Sequence, residues 1–583
     1  MSSNPKDPMG QFFQKDIAGN NRSNFNVGYK NRISADFFYG YPVGLWDIPS
    51  DSHFELDLNA TLSTNPTLAP VLGSCTFRVE AYFVEKAAYV DLLRNNDRVP
   101  LDRDVPFPYL SIGPGYSGFS PRCGILEYLQ MLPAGFSRSM WSNAAGAVSM
   151  PVLNAIPLLM YYDILRNYYI NPQDDYAPIR DTAYIPLIAE APIPARDQYV
   201  SRANLDMFFK EVRSTQSRGL YNVQTAFGST NGTLLSPFAT PSSDFPSEVD
   251  HQKYMHHGLW RRTYNNDFFT SYVSNENVEL MKSHANVAIK TINDIQVVNV
   301  EQISLANRNW RIATRSMLWG TDWKDYNKVH YGVNLMIPYG KPQFLGSLKS
   351  KIRFTDVISN AQTGPNGSGN DGASPIQSNM NLGSRAAIAF GGLGNGDRKF
   401  VEFNTKDEGY LMLIATIVPD VDYYQGIDPM YMKTNLKHSW MVELNSVGMQ
   451  DFHRAWMSVV PFEVANGVPP ENTSTISWGA WNVAEHKVPI WFEYMAKYNQ
   501  LHGLFTGANQ LRYWTFARPF TDLQTLFDTD FELDNYEPYT STYGMPEMFH
   551  YIFADALTDN FQLQFNFDAR LNCMLDKQVI AYL

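Results

Sequence analysis

Alternation of apolar and polar residues marks several segments of the chain as half-buried strands. Phe54, Leu56, Leu58 and Ala60 alternate with Glu55, Asp57 and Asn59, and a period of two puts each set on its own face. Cys75, Phe77, Val79, Ala81 and Phe83 predict an inward face, with Thr76, Arg78, Glu80 and Tyr82 outward. Near the C-terminus Phe561, Leu563, Phe565 and Phe567 alternate with Gln562, Gln564, Asn566 and Asp568. Pro66 and Pro70 predict a loop between the first two strands, because proline cannot donate to a ladder. Tyr410 to Val418 is a β-rich run closed by Pro419 and followed by an acidic, aromatic loop that ends at Gly426. Strands near both ends, with a long sequence between them, predict a sheet assembled from distant segments, as in a β-sandwich carrying long insertions.

Helical patches interrupt this pattern. Asn154 is placed to cap a helix with Pro157 in its first turn, running through Leu158 to Arg166. Thr291 with Asp294 resembles a capping box opening a helix from Ile292 to about Asn307, although β-branched Val297, Val298 and Val300 leave a strand open there. Gly124 to Leu132 is a shorter helical segment ended by Pro133. Residues 1–32 read as a flexible basic arm, with Lys6, Lys15, Arg22, Lys30 and Arg32 against Asp7 and Asp16. It is either a solvated tail or an arm facing nucleic acid or a neighbouring subunit. Residues 33–583 read as one domain, with 226–250 and the glycine-rich 361–399 as exposed loops.

Composition sharpens this picture. Only 18% of the 583 residues are charged while 14% are aromatic. Interface cores shed Lys, Glu and Asp and gain aromatics, so either a large core or extensive subunit contacts fit. The net charge of −12 excludes a chain that binds nucleic acid through its overall field, so any such contact must be local. Cys75, Cys123 and Cys573 leave one over and form no Cys-x-x-Cys pair, which fits thiols in a reducing compartment. The polar N-terminus lacks the apolar region of a secretory signal, and no run of about 18 apolar residues predicts membrane insertion.

Candidate chemistry is sparse. No Gly-x-Ser-x-Gly, His-Glu-x-x-His or phosphate-cradling glycine motif occurs, so catalytic residues, cofactors and a metal site are not expected. His251, His256 and His257 precede Trp260-Arg261-Arg262 without a carboxylate or cysteine at ligand spacing. A loop meeting a neighbouring subunit is the favoured reading of that stretch. A local nucleic-acid contact is the alternative, with Trp260 stacking on a base while Arg261 and Arg262 meet phosphate. With Arg22, Lys30 and Arg32 they are the candidate DNA contacts. Asp420 and Asp422, with Asp407 and Glu408, could serve sugar or calcium chemistry, but a solvated acidic loop is the simpler reading.

A set of short motifs follows the order found in one family. They are Arg22-Ser23-Asn24-Phe25 with the turn Ile48-Pro49-Ser50-Asp51, Asn154 to Tyr169 with its Tyr-x-x-Ile-x-x-x-Tyr pattern, Asn265 with Asp267-Phe268-Phe269-Thr270-Ser271, and Thr291-Ile292-Asn293-Asp294-Ile295. Further on come His330-Tyr331-Gly332-Val333, Pro342-Gln343-Phe344-Leu345-Gly346, Glu408-Gly409-Tyr410, Tyr423-Tyr424-Gln425-Gly426, and Trp491 to Tyr494 with His502-Gly503-Leu504-Phe505. Their sequence along the chain resembles that of the major capsid proteins of Microviridae, small icosahedral bacteriophages with single-stranded DNA. Ser50 stands where glycine is common, and only about 20 residues separate Ser271 from Thr291. A threefold protrusion at that point is therefore not expected.

The resemblance implies an eight-stranded antiparallel jelly roll with long inserted loops. It implies a T=1 icosahedral shell built through pentamers, assembled in the host cytoplasm around circular single-stranded DNA. The partners it implies are further copies of the chain, a minor spike or vertex protein, a pilot protein, a small basic DNA-binding protein and a host surface receptor. A carbohydrate-binding β-sandwich, lectin or glycan-active, is the rival reading from aromatics and carboxylates in loops.

Overall fold

The computed structural model describes residues 22–69, 71–90, 107–111, 125–131, 153–171, 176–179, 198–202, 219–222, 258–274, 290–292, 295–297, 300–319, 323–333, 341–353, 357–359, 384–388, 399–444, 448–458, 484–506, 511–520, 543–553 and 559–575, with a few single residues between. The chain is mainly β, and its two largest sheets are antiparallel.

In sheet I, β1 (Ser23–Asn26) and β2 (Lys30–Ala35) lie end to end along β13 (Phe561–Cys573), which pairs in turn with β4 (Ser52–Pro66). Beyond β4 come β8 (Ser384–Ile388) and β9 (Val401–Thr405), again end to end, with β7 (Val357–Ser359) outside β8. Sheet II has the order β6 (Gln343–Arg353), β5 (Ser74–Glu85), β10 (Gly409–Pro419), β3 (Tyr41–Ile48). Rings from the two sheets meet across the core: Phe77 with Phe565 at 6.2 Å, Trp46 edge-on to Phe567 at 5.2 Å, and Phe83 with Phe403 at 5.2 Å. This is the arrangement of a β-sandwich.

Sheet I behaves as its alternation predicts. Phe561, Leu563, Phe565 and Phe567 are buried while Gln562, Asn566 and Asp568 are exposed. The centre of sheet II is covered on both faces, where every residue of β10 is buried, while edge strand β6 stays largely exposed or half-buried. The second cover is α1 (Ile156–Ile164), whose nine residues are all buried, as befits a helix apolar all round. Asn154 accepts from the Ile156 amide at 3.0 Å, so it caps α1 from just outside. Segment 258–264 completes the layer: Arg262 donates its amide to Phe38 O and Tyr161 donates its hydroxyl to Gly40 O.

Several expectations change. Glu80 and Tyr82 do not face solvent but lie buried beneath this layer. The arm is strand from Ser23, because Phe25, Val27 and Ile33 find the core and β13 offers a free edge; residues 1–21 lie outside the described set. Where a capping box was expected, Lys290–Ile292 and Ile295–Val297 pair as a hairpin, and helix α2 begins later, at Val300–Trp319. The β-branched Thr291, Ile292, Ile295 and Val297 favour the pleated form. Gly124–Leu132 supplies one helical turn, Ile125–Tyr128. Within 361–399, Ser384–Ile388 is strand β8 rather than loop. Residues 226–250 lie outside the described set. No described helix is long and apolar enough to cross a membrane.

Candidate interaction surface

Aromatic residues first build a rigid base beside the sandwich. β11 (Met449–His453) pairs with β12 (Ala484–Pro489), which also pairs with Val273–Ser274. Phe268 and Phe269 pack beneath them, Phe268 on Phe492 at 5.0 Å and Phe269 on Tyr423 at 4.4 Å. Phe452 meets Trp456 edge-on at 5.2 Å.

The motif residues 423–426 join this base to β10. Tyr423 donates its hydroxyl to Asp267 and stacks on Phe520 at 5.5 Å. The Gln425 side-chain oxygen accepts from the Phe520 amide at 2.6 Å.

Above the base, short turns present large apolar side chains to solvent. They are Pro429–Met432, Leu436–His438, Val442–Leu444, Phe492–Met495 and Gly503–Phe505. Tyr431 is 72% exposed, Leu436 77%, Val442 64% and Met495 69%, with Trp440, Tyr494 and Leu504 also exposed. Gathered on a few linked turns, these side chains make the segment a candidate interaction surface, whereas single exposed hydrophobics are ordinary.

Polar staples hold these turns in place. Lys433 pairs with Glu493 at 2.7 Å and sits 3.7 Å from the Tyr494 ring centroid. Gln450 donates to Glu493 at 2.6 Å and accepts the Trp491 amide at 3.0 Å. Trp491 has φ of 66°, a left-handed conformation costly for a bulky residue. It is secured by its indole N–H donating to Leu444 O at 3.2 Å. Hydrogen bonding to Lys433 lowers the Tyr494 hydroxyl pKa, and Glu493, despite a desolvation cost, is held below its ordinary value by Lys433 and Gln450. A preformed surface loses little side-chain freedom on binding.

The acidic loop is not simply solvated. Asp420 accepts from Ser74 at 2.5 Å and from Asn265 at 3.2 Å, and pairs with Lys351 at 3.3 Å. Burial, with the Asp420 charge second, pushes the Asp422 carboxyl up to about 6. The backbone of Asp422 is tied to Phe516 and Arg518.

The six candidate DNA contacts do not form one patch. Trp260 is fully buried, 4.1 Å from the Tyr169 ring and 5.7 Å from Tyr161, so it has no face free for a base. Arg261 is 2% exposed against Tyr39. Arg262 bonds Thr416 at 3.0 Å and meets Glu80 at 3.4 Å. These three therefore belong to the layer over sheet II. Arg22, Lys30 and Arg32 are exposed on sheet I, with Arg22 paired to Asp51 and Arg32 bonded to Gln564. His251, His256 and His257 lie outside the described residues.

Sequence reasoning missed a second basic feature. Arg308, Arg311 and Arg315 are exposed on α2 and form no ion pair among the described residues. Spacings of three and four put them on one face. The signal was there in the register, hidden because the helix was expected to end near Asn307.

No protein-family model matches the chain, and no curated protein matches its sequence.

Proposed function

We propose that this chain is the self-assembling subunit of a viral shell, a jelly-roll major capsid protein of the Microviridae type enclosing circular single-stranded DNA in a T=1 particle. The observation that carries the reading is the apolar surface at 429–444 and 491–505, whose turns are tied together by hydrogen bonds and an ion pair while its large side chains stay exposed. A surface shaped to fit another macromolecule is what a building subunit needs. Several contacts of ordinary size, about 1,600 Å² each, hold a closed assembly when they must open together.

Strand order supports the same reading. Numbered by appearance, the eight long strand positions run 1-8-3-6 in sheet I (β2, β13, β4, then β8 with β9) and 2-7-4-5 in sheet II (β3, β10, β5, β6). This order is the one expected of a jelly roll, and so it supports the reading. The arginine face of α2 is suited to a weak, salt-sensitive contact with the packaged strand. A spike or vertex protein, a pilot protein, a small basic DNA-binding protein and a host receptor are the further partners of this reading.

The test is direct. Purified full-length protein is examined by sedimentation velocity and negative-stain electron microscopy; pentamers or closed shells are expected. A species that stays monomeric at high concentration, or one that binds oligosaccharide with calcium as a monomer, overturns the proposal.

A further inference from the structure

We infer that His53, Glu55 and Glu402 form a site for one divalent transition-metal ion, clamping β4 to β9 on the outer face of sheet I. Ladder register creates the juxtaposition. Glu402 sits opposite Glu55 and Asn404 opposite His53, and residues two apart on a strand share a face. One ligand atom from each of His53, Glu55 and Glu402 lies within 4.8 Å of the others. The His53 Nε2 is 3.1 Å from Glu55 Oε1 and 3.7 Å from Glu402 Oε1.

A neighbour settles which imidazole nitrogen is available. His53 Nδ1 lies 2.7 Å from the Asn404 side-chain oxygen, an acceptor, so Nδ1 carries the proton and donates. The lone pair of a neutral ring then sits on Nε2, facing two carboxylates. In the metal-free chain a proton on Nε2 relieves the repulsion and pairs the ring with Glu55 at 3.1 Å, and a divalent ion takes the place of that proton. An outer partner that fixes tautomer and ring orientation is the usual companion of a metal-bound histidine.

Lys399 is the competing cation. Its ammonium contacts Glu55 and stands 3.8 Å from Glu402. In the metal-free chain the Lys399 ammonium and a protonated His53 balance the two carboxylates, and Arg570, opposite Glu55 on β13, makes no ion pair with Glu55 among the described residues. A divalent ion neutralises both carboxylates at once, and Lys399, 43% exposed, is free to swing into solvent. One imidazole and two carboxylates suit a borderline ion such as Zn²⁺ better than a hard, all-oxygen Ca²⁺ site.

Metal-free full-length protein titrated with ZnCl₂ in a calorimeter should bind one ion at this site, and Zn²⁺ should raise the melting temperature because the ion favours the folded state. Glu402→Gln and His53→Gln should each weaken that binding at least about tenfold, with unchanged circular dichroism in the metal-free form. Lys399→Met should tighten it, a response that Zn²⁺ held elsewhere would not give. Absence of Zn²⁺ binding, retention of the same affinity in both weakened variants, or an equal response to CaCl₂ would overturn the assignment. Assembly plays no part in these readouts, so the outcome is independent of the shell proposal.

Discussion

Gly426 lies so close to Trp456 that a Cβ at that position would come within 1.8 Å of the Trp456 carbonyl oxygen. The contact brings the end of the 420–426 loop against the aromatic base, where Ile427 donates its amide to Ala455 O at 2.9 Å. Only glycine allows two backbones to approach in this way. Gly426→Ala should therefore cost about 3 kcal/mol, the upper end for forced overpacking, because a backbone oxygen cannot rotate aside. Chemical denaturation of the variant measures the loss; under the proposed function assembly should fail with it, since the loop anchors the exposed turns.

The apolar surface can be tested without disturbing the core. Tyr431 and Leu436 are both more than two-thirds exposed, so Tyr431→Asp and Leu436→Asp should leave melting temperature nearly unchanged. If these side chains anchor a subunit contact, each charge should weaken association by at least about 2 kcal/mol. Sedimentation equilibrium against circular dichroism separates the two effects. Unchanged association would show that this surface meets something other than a second copy.

Asp422 gives a pH dependence whose sign follows from its surroundings. Its ordinary value is 3.8, and burial followed by the Asp420 charge raises it to about 6. The folded chain thus holds this proton more tightly than the unfolded chain. The group's contribution to stability is fully present below about pH 4 and is lost as pH rises through about 6. Asp422→Asn should consequently be more stable than the parent at neutral pH, with the advantage disappearing below about pH 4. Paired melting curves across this range provide the check, since carboxylates other than the coupled Asp420 cancel in the difference.

The three arginines of α2 stack like charges at spacings of three and four, each pair costing the helix about 0.2–0.5 kcal/mol. Arg308→Ser, Arg311→Ser and Arg315→Ser together should leave the helix intact. They should lower single-stranded DNA affinity and reduce the salt slope by about 2, near 0.7 per lost phosphate contact. Fluorescence titration of an oligonucleotide at several salt concentrations measures both. An unaltered slope would show that this helix does not contact nucleic acid.

Trp260 and Arg32 show how a plausible sequence signal divides. Both were reasonable nucleic-acid contacts, an aromatic beside arginines and a cation in a polar arm. Arg32 remains at the surface, bonded to Gln564. Trp260 is packed between Tyr161 and Tyr169, with its rings pressed against Gly40. Trp260→Ala should accordingly cost about 3–5 kcal/mol as a core truncation, read by denaturation. Nothing local distinguishes the two cases, because a tryptophan followed by two arginines has the same sequence whether a helix covers it or not.

Strands β4, β5, β10 and β13 were legible because side-chain alternation and β-branching act within a few residues, as did helix α1 from Asn154 and Pro157. The motif glycines were visible as positions, yet their reason, such as the Trp456 oxygen against Gly426, comes from a segment 30 residues away. Glu80 illustrates the remainder: its alternation assigns it outward, and it is buried because α1 and residues 258–264 close over sheet II. The His53 cluster exists because β9 pairs with β4 across some 350 residues of chain. Periodicity is a short-range property and records which face of a strand is apolar. Burial, charge pairing and ligand geometry depend on which distant segment arrives at that face, and the pairing of whole strands settles that.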